Sequence, residues 1–392
     1  MFVPNEGQSV LCMRLLNWYR NPDKQIFVYT GGPGTGKTSA LLYFIEHMRI
    51  DISDVLPVAY SGKAVNVLCD KGFYNASTIH SAFYEPVRMI KKDEFGNTVE
   101  DDYGNPKITF DFVLKQELAS DYKIIVIDEL SMVPDNIMED ILSFGIPVIG
   151  MGDIDQLPPI FGICSYMLRP DYYLTEIMRQ DKDNPIISFC QWAKFGDPLR
   201  CGTYGDSRIL SHIDYGENLV DDYDMIICCR NNTRDGINDI IRKDIFHRED
   251  YPVLGDKLIC RQNLKDFSEG GRFLTNGTIG YLIYTEPGSR TSKKMTIDFT
   301  PDYDDSIVFQ NVIMDMKYIS QDHHGRSAMG LTKYVKFEYG NVITAHLSQG
   351  SEYNRVLYID EPFGSPELRR KLRYTAISRA AKSIDIVTNS AY

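Results

Sequence analysis

Gly31-Gly-Pro-Gly-Thr-Gly-Lys-Thr38 fits the phosphate-loop pattern G-x-x-x-x-G-K-[ST] without a mismatch. The apolar run Ile26 to Thr30 before it predicts a buried strand. After it, Leu41, Phe44, Ile45 and Met48 fall at i, i+3, i+4 and i+7, which predicts a helix with one face on a sheet. Strand, loop and helix in that order aim backbone N–H groups and the positive helix end at a phosphate. Gly31, Gly32, Gly34 and Gly36 are expected at φ > 0, where a Cβ would obstruct the nest. The motif predicts a nucleoside triphosphate site, with Lys37 reaching the β and γ phosphates and the Thr38 hydroxyl ligating Mg2+.

A chain of 392 residues with 43 % hydrophobic content exceeds one ordinary core. At about 150 residues per domain it predicts two or three. No run approaches the ~20 uninterrupted apolar residues of a membrane span. The stretch Met1 to Glu6 lacks the basic-then-apolar layout of a signal peptide. A soluble, intracellular protein without a membrane partner is expected. The 8 cysteines show neither C-x-x-C pairing nor Cys/His ligand spacing, so thiols in a reducing compartment are expected. A net charge of -12 weighs against nucleic acid as a partner without excluding it. Acidic residues gather at Asp221 to Asp224 and Asp302 to Asp305, which leaves room for a groove elsewhere that is locally positive or grips by stacking.

Strand-like runs at Ile26 to Thr30, Val55 to Tyr60, Ile124 to Ile127 and Pro147 to Met151 alternate with helical patterns, the signature of an α/β fold with a parallel sheet. Two stretches break the rhythm. Glu85 to Leu118 holds the turn signals Phe95-Gly-Asn97 and Tyr103-Gly-Asn-Pro106 and predicts a small hairpin insertion. Gly255 to Leu331 turns to short β-rich pieces (Lys257 to Arg261, Thr278 to Tyr284, Met295 to Phe299, Val308 to Met314), read as a small barrel. A second α/β unit brackets it, with strands at Met225 to Cys229, Arg355 to Asp360 and Ile384 to Val387.

Ile124-Ile-Val-Ile-Asp-Glu129 reads as a buried strand that delivers two acids beside the phosphate loop. Asp128 is the candidate for holding Mg2+ and Glu129 for the general base that deprotonates water. Two acids capping the next helix is the other reading. A further strand runs into Gly152-Asp-Ile-Asp-Gln-Leu-Pro-Pro159, where the Gln156 amide is placed to donate to a γ-phosphate and accept from water.

Seven strings together resemble superfamily 1 helicases, most closely the RecD/Dda-like group of superfamily 1B. They are Gly31 to Ser39, Ala76-Ser-Thr-Ile-His-Ser81, Asp128-Glu-Leu-Ser-Met132, Gly152 to Pro159, Met178-Arg-Gln180, Thr344-Ala-His-Leu-Ser-Gln-Gly-Ser-Glu352 and Tyr374-Thr-Ala-Ile-Ser-Arg379. The match keeps the family order over nearly the whole chain. It implies two RecA-like P-loop NTPase domains with ATP and Mg2+ between them. Residues 1–84 and 119–165 would form the first and 166–254 and 332–392 the second. The hairpin insertion would span 85–118 and an SH3-like β-barrel insertion 255–331. The resemblance implies that Gln8 reads adenine and that Gly32, Pro33, Gly34, Thr35, Gly36, Lys37, Thr38, Ser39, Gly350 and Glu352 line the nucleotide. Arg179 and Arg379 match the arginines that the second core presents to the γ-phosphate, where a planar guanidinium stabilises spread charge.

By the same resemblance, DNA grips fall on Ser61 and Lys63, on Thr78 and His80, and on Thr344, His346 and Ser348. Hydroxyls and imidazoles bind phosphate oxygens without reading sequence. Thr78 as a helix cap and His80, Thr344 and His346 as core polar residues are the alternatives. The chain departs from the family at Tyr60-Ser61, where Pro-Thr is common, and at Ser378, where Thr is usual. In the hairpin, Phe95, Tyr103 or Phe110 is a candidate to stack on an end base pair, or else simply holds the hairpin together. The string Leu274-Thr-Asn-Gly-Thr-Ile-Gly280 resembles the entry to the family's barrel, or is a plain Asn-Gly turn. The function implied is an ATP-dependent DNA helicase moving 5′ to 3′ on single strands, acting as a monomer on single-stranded and forked DNA in replication, recombination or repair, with single-strand-binding or other replication proteins as partners. An RNA helicase, a nucleoprotein remodeller and an ATP-gated clamp are the competing readings.

Overall fold

The computed structural model describes all residues except 1–2, 91, 94, 100–105, 107, 177–183, 214, 217, 249–250, 270–271, 287–292, 321–333 and 389–392. Two compact units divide the chain. One comprises Met1–Ala76, Ser120–Glu249 and Tyr339–Tyr392, the other Ser77–Ala119 and Asp250–Glu338.

The first unit contains two parallel sheets. In the first, β1 (Ile26–Gly31), β2 (Val55–Ala59), β3 (Ile124–Asp128), β4 (Val148–Gly152) and β5 (Tyr172–Leu174) run in the order β2-β3-β4-β1-β5, each pair parallel. Residues 26–31, 55–59, 124–128 and 148–152 are all buried, as expected of strands covered on both faces. Helices α1 (Glu6–Arg20) and α2 (Lys37–Met48) pack together on one face. Leu11, Leu15, Leu41, Phe44 and Ile45 join Phe27, Tyr29, Val126 and Met151 in one core, with Met48 at its margin. Each such side chain contributes about 1.5–3 kcal/mol on burial. Helix α3 (Gly62–Asp70) follows β2.

The second sheet has six strands. β6 (Gly202–Tyr204), β7 (Ser207–Leu210), β8 (Met225–Cys228), β9 (Val342–Thr344), β10 (Tyr353–Asp360) and β11 (Ala380–Thr388) run in the order β9-β8-β10-β11-β7-β6, parallel except for the β6-β7 hairpin. Ile226, Cys228, Leu357 and Ile359 form its core with Ile237 and Ile241. Helices α4 (Pro185–Phe195) and α5 (Pro366–Ile377) pack against each other; Asn184 and Ser365 cap their N-termini, with Pro in the first turn of each. All eight cysteines are free thiols. Among the described residues no helix is long and apolar enough to cross a membrane.

In the second unit, Tyr84–Ile90 pairs antiparallel with Ile108–Leu114 over seven registered positions. The paired strands lie outside both turn signals and make a longer arm than those signals imply. A five-stranded sheet carries Phe309–Asp315, Lys294–Pro301, Ile279–Thr285, Lys257–Cys260 and Phe337–Tyr339 in that order. Its core holds Leu258, Leu282, Ile297, Phe299, Val312 and Phe337, the last packed on Phe299 with ring centroids 5.2 Å apart. Gly280 is fixed by close approach, since a Cβ there would lie 2.0 Å from the Thr300 carbonyl oxygen. At Asn276-Gly277 the chain turns with φ 91° at Gly277, and the Thr275 N–H donates to Thr278 Oγ1 at 3.2 Å.

Candidate active site

The loop leaves the C-terminal end of β1, and only two of its glycines have the conformation expected of all four. Gly34 and Gly36 sit at φ 75° and 74°, whereas Gly31 and Gly32 do not adopt positive φ. Those two are small because the loop is crowded. A Cβ on Gly31 would lie 2.6 Å from Thr35 Oγ1, and one on Gly32 3.1 Å from Tyr374 Oη. Helix α2 begins at Gly36 without a side-chain cap, which leaves its first amides for an anion. Lys37 Nζ lies over the loop, donating to the Gly31 carbonyl at 2.7 Å and the Gly32 carbonyl at 3.3 Å. Thr35 Oγ1 donates to the Gly32 carbonyl at 2.9 Å. Pro33 and Ser39 are partly exposed beside them.

Gln8 braces this loop. Its side-chain carbonyl accepts from the Asn5 N–H at 3.0 Å, closing a capping box at the start of α1, and its amide donates to the Thr35 carbonyl at 3.2 Å. The side chain is buried and both groups are engaged within the chain, so bracing is what its bonds accomplish. An adenine-reading role would have to displace them.

Asp128 ends β3, and its Oδ1 accepts from the Glu129 N–H at 2.9 Å. That bond accompanies a left-handed backbone at Glu129 (φ 52°, ψ 44°), rare for a residue with a side chain. Burial raises the Glu129 carboxyl above the usual carboxylate range and the Asp128 charge adds to this, while Arg379, Lys37 and Lys71 pull it back. Thr38 Oγ1 accepts from Lys71 Nζ at 2.9 Å.

Gln156 is buried. Its Nε2 donates to Asp153 Oδ2 at 3.4 Å, and its Oε1 is a buried acceptor with no hydrogen-bond partner. Asp153 also accepts from Tyr374 Oη at 2.9 Å, which ties the loop after β4 to α5. Burial raises the Asp153 carboxyl, against the opposing charge of Lys37. Three further bonds stitch the same seam: the Leu157 N–H donates to Thr375 Oγ1 at 3.0 Å, Gln349 Nε2 to the Leu157 carbonyl at 3.3 Å, and Lys371 Nζ to the Ile154 carbonyl at 2.8 Å. A cavity of about 240 Å³ opens here, lined by Gly32, Pro33, Asp153, Cys190, Lys194 and Tyr374 among others. Burial pushes the Cys190 thiol up to about 12.

Arg379 is buried at the end of α5 with its guanidinium fully positioned. Nε donates to the Thr375 carbonyl at 3.1 Å, Nη1 to the Ser351 carbonyl at 3.1 Å and Nη2 to Ser378 Oγ at 2.9 Å. The serine at 378 thus supplies the hydroxyl that holds the arginine. Gly350 adopts φ 74°, and a Cβ there would meet Ala64 of α3 at 3.4 Å. Glu352 is exposed. Arg179 lies outside the described residues.

The candidate nucleic-acid contacts divide. Ser61 caps α3, its Oγ accepting from the Ala64 N–H at 3.2 Å. Lys63 Nζ bonds Tyr353 Oη at 3.0 Å and sits 5.1 Å from the centre of that ring. Thr344 Oγ1 accepts from the Leu347 N–H at 3.4 Å, and His346 is partly buried, which lowers its proton affinity. Ser348 corrects the expectation, because it is 0 % exposed and its hydroxyl donates to the Ala345 carbonyl, so it shapes the loop from inside. In the second unit, Thr78 caps the short helix Ile79–Phe83 by accepting from the Ser81 N–H at 3.3 Å. His80 packs on Tyr84 and Phe112 with ring centroids 5.5 and 5.4 Å away. Phe95 is 88 % exposed; Tyr103 lies outside the described residues, and of Phe110 only the backbone is described.

Sequence reasoning passed over Lys71, Tyr374, Asp153 and Ser351 as site residues. Tyr374, Asp153 and Ser351 lie inside the quoted strings, where their neighbours drew the attention. Lys71 carried no signal.

Residues 20–162 match a family model described as an AAA domain, and 339–387 match one described as a UvrD-like helicase C-terminal domain. The chain is 27 % identical over 379 residues to the ATP-dependent RecD2 DNA helicase of Deinococcus radiodurans, covering 91 % of this chain and 46 % of that protein. It is 24 % identical over 297 residues to the ATP-dependent DNA helicase dda of Enterobacteria phage T4, covering 67 % of this chain and 64 % of the relative. The chain therefore spans about half the length of the first and under two thirds of the second. The crystal structure of Pif1 helicase from Bacteroides in complex with ADP-AlF3 and single-stranded DNA superposes with a TM-score of 0.55 at 16 % identity, over 98 % of this chain and 92 % of that one, which shows a shared RecA-like P-loop helicase fold. In sequence the chain is thus similar to helicases of the RecD/Dda-like group of superfamily 1B, and in fold to the Pif1 helicases.

Proposed function

We propose that this chain is an ATP-dependent DNA helicase that moves 5′ to 3′ on single-stranded DNA and opens forked duplexes, with residues 1–84 and 119–165 as one RecA-like core and 166–254 and 332–392 as the other. The observation that supports it most is Arg379. Its guanidinium is held by three bonds within the second sheet's elements, and its charge acts on Glu129 at the end of β3. An ATPase in which one core supplies the base and the other the arginine hydrolyses only when both are in place, and that links a phosphate event to domain closure.

The residues fit the groups this reading requires. Uncapped amides at the start of α2 and the Lys37 ammonium suit phosphates. Thr38 Oγ1 already accepts from a cation, and with the Asp128 carboxylate it offers the hard oxygens that Mg2+ takes. When bound, that ion screens the β- and γ-phosphate charge. Glu129 takes a proton from water, the water oxygen bonds to the γ-phosphorus, and the bond from that phosphorus to the β-bridging oxygen breaks to release ADP. Gln156 Oε1, buried without a partner, is the acceptor available to orient that water. Arg379, and Arg179 by its motif, stabilise charge on the equatorial oxygens. Gly350 and Glu352 border the nucleotide, and Gln8 supports the loop.

For the strand, Lys63, Thr344 and His346 are the candidates in the first unit, with Thr78 and His80 in the second. The hairpin carries the wedge, and among its described aromatics Phe95 is 88 % exposed and Phe112 51 % exposed. Residues 255–331 form the SH3-like insertion of this reading. The test is unwinding of forks with a 5′ or a 3′ tail, in DNA and RNA versions, beside strand-stimulated hydrolysis. ATP-dependent opening of the 5′-tailed DNA fork is expected. Opening only of RNA forks, or binding without opening of any fork, contradicts the proposal.

A further inference from the structure

We infer that Lys71 is a built-in counter-cation that competes with Mg2+ for the Thr38 hydroxyl and so sets the metal concentration at which this site loads nucleotide. The inference rests on the nucleotide-site reading above and concerns a residue outside every motif quoted for it.

Two observations carry it. Lys71 Nζ lies 2.9 Å from Thr38 Oγ1, the oxygen assigned to the metal. Its Cα is fixed: the Lys71 N–H closes α3 on the Val67 and Leu68 carbonyls, Gly72 turns the chain at φ 98°, and Phe73 is buried in the core of the first sheet. The stem starts from a rigid point while the side chain stays largely exposed.

The physical consequence is a conflict of like charges. A divalent ion binds hydroxyl oxygen at about 2.1 Å. An ammonium on that same oxygen would then stand within a few ångströms of the ion, where repulsion is strong even in a high-dielectric setting. One of the two must leave. Lysine can do so cheaply, because its flexible stem carries the charge into water. With no metal present, the ammonium remains as the positive charge beside the β-phosphate.

The test uses the full chain and fluorescent N-methylanthraniloyl-ADP, read by anisotropy while Mg2+ is titrated, in wild type, Lys71→Gln and Lys71→Arg. Lys71→Gln should reach half-saturation at about two- to fivefold less Mg2+, and should bind the ADP about two- to fivefold more weakly in EDTA, the range set by an exposed ion pair. Lys71→Arg should stay near wild type in both. Shifts of opposite sign in one variant are not what loss of structure produces, and unchanged thermal unfolding checks the fold. Equal Mg2+ half-points in wild type and Lys71→Gln, or a higher one in the variant, overturn the inference while leaving the nucleotide site standing. Failure of the wild type to bind the ADP at any Mg2+ concentration overturns the site and the inference together.

Discussion

Gly36→Ala is a perturbation whose cost divides into two separable parts. The residue sits at φ 74°, and for an L side chain this left-handed backbone costs about 1–2 kcal/mol. The added Cβ also lies 2.4 Å from Gln8 Nε2. Gln8 is 1 % exposed, so its amide has no open space to retreat into and must give up its bonds to the Thr35 carbonyl and the Asn5 N–H. Each of those is worth about 1 kcal/mol. The whole substitution should therefore cost about 3–4 kcal/mol. In a Gln8→Ala background the clash and both bonds are already gone, and Gly36→Ala should cost only the backbone share. The coupling between the two sites is then about 2 kcal/mol, in the range for residues in contact. The assay is urea unfolding followed by fluorescence in a Trp192→Phe background, where Trp18 of α1 reports on the first core alone. Equal costs of Gly36→Ala in the two backgrounds would refute the reasoning, because Gln8 would then not be pressed on the loop.

Glu129→Gln should bind nucleotide with little change while hydrolysis falls by about 10²–10⁴, the share of a general base. Because burial raises this carboxyl, the folded chain holds its proton more tightly than the unfolded one, so the group's contribution to stability is present in acid and lost as pH rises through the raised value. Glu129→Gln should accordingly melt later than wild type at neutral pH, with the gain fading below the usual carboxylate range; a constant difference at all pH values contradicts this. Tyr374→Phe removes the 2.9 Å bond to buried Asp153 and should cost about 1.5–3 kcal/mol, measured by denaturant unfolding, and much less when Asp153 is already Asn. Gly280→Ala forces a Cβ to 2.0 Å from a backbone oxygen and should cost about 3 kcal/mol or more, seen as lost amide protection across Ile279–Thr285 and Lys294–Pro301.

How much of this was legible in the sequence depended on how local the determinant is. The phosphate loop, the acid pair and the four central strands of the first sheet announce themselves, because each is a continuous apolar run punctuated by residues of special geometry. Gly31 and Gly32 mislead, since the sequence cannot distinguish a glycine needed for φ from one needed for space; Thr35 and Tyr374 supply the crowding, the latter from more than 300 residues away in the chain. β6, β7 and β9 are three or four residues long, too short for period-2 patterning to register. Ser61 and Thr78 each cap a helix, so a hydroxyl at a motif position has a sufficient structural reason beside the functional one. Lys71 was invisible because an exposed lysine at a helix end is ordinary until the fold carries it to Thr38.

The claim on which the rest depends is that residues from both sheets cleave ATP jointly. The most direct measurement is single-stranded-DNA-stimulated hydrolysis by Arg379→Ala beside wild type, with nucleotide affinity determined for each. Hydrolysis reduced by about 10³ or more with ADP binding retained is the predicted result, in keeping with the contribution of an arginine to phosphoryl transfer. Wild-type turnover in Arg379→Ala would contradict the account.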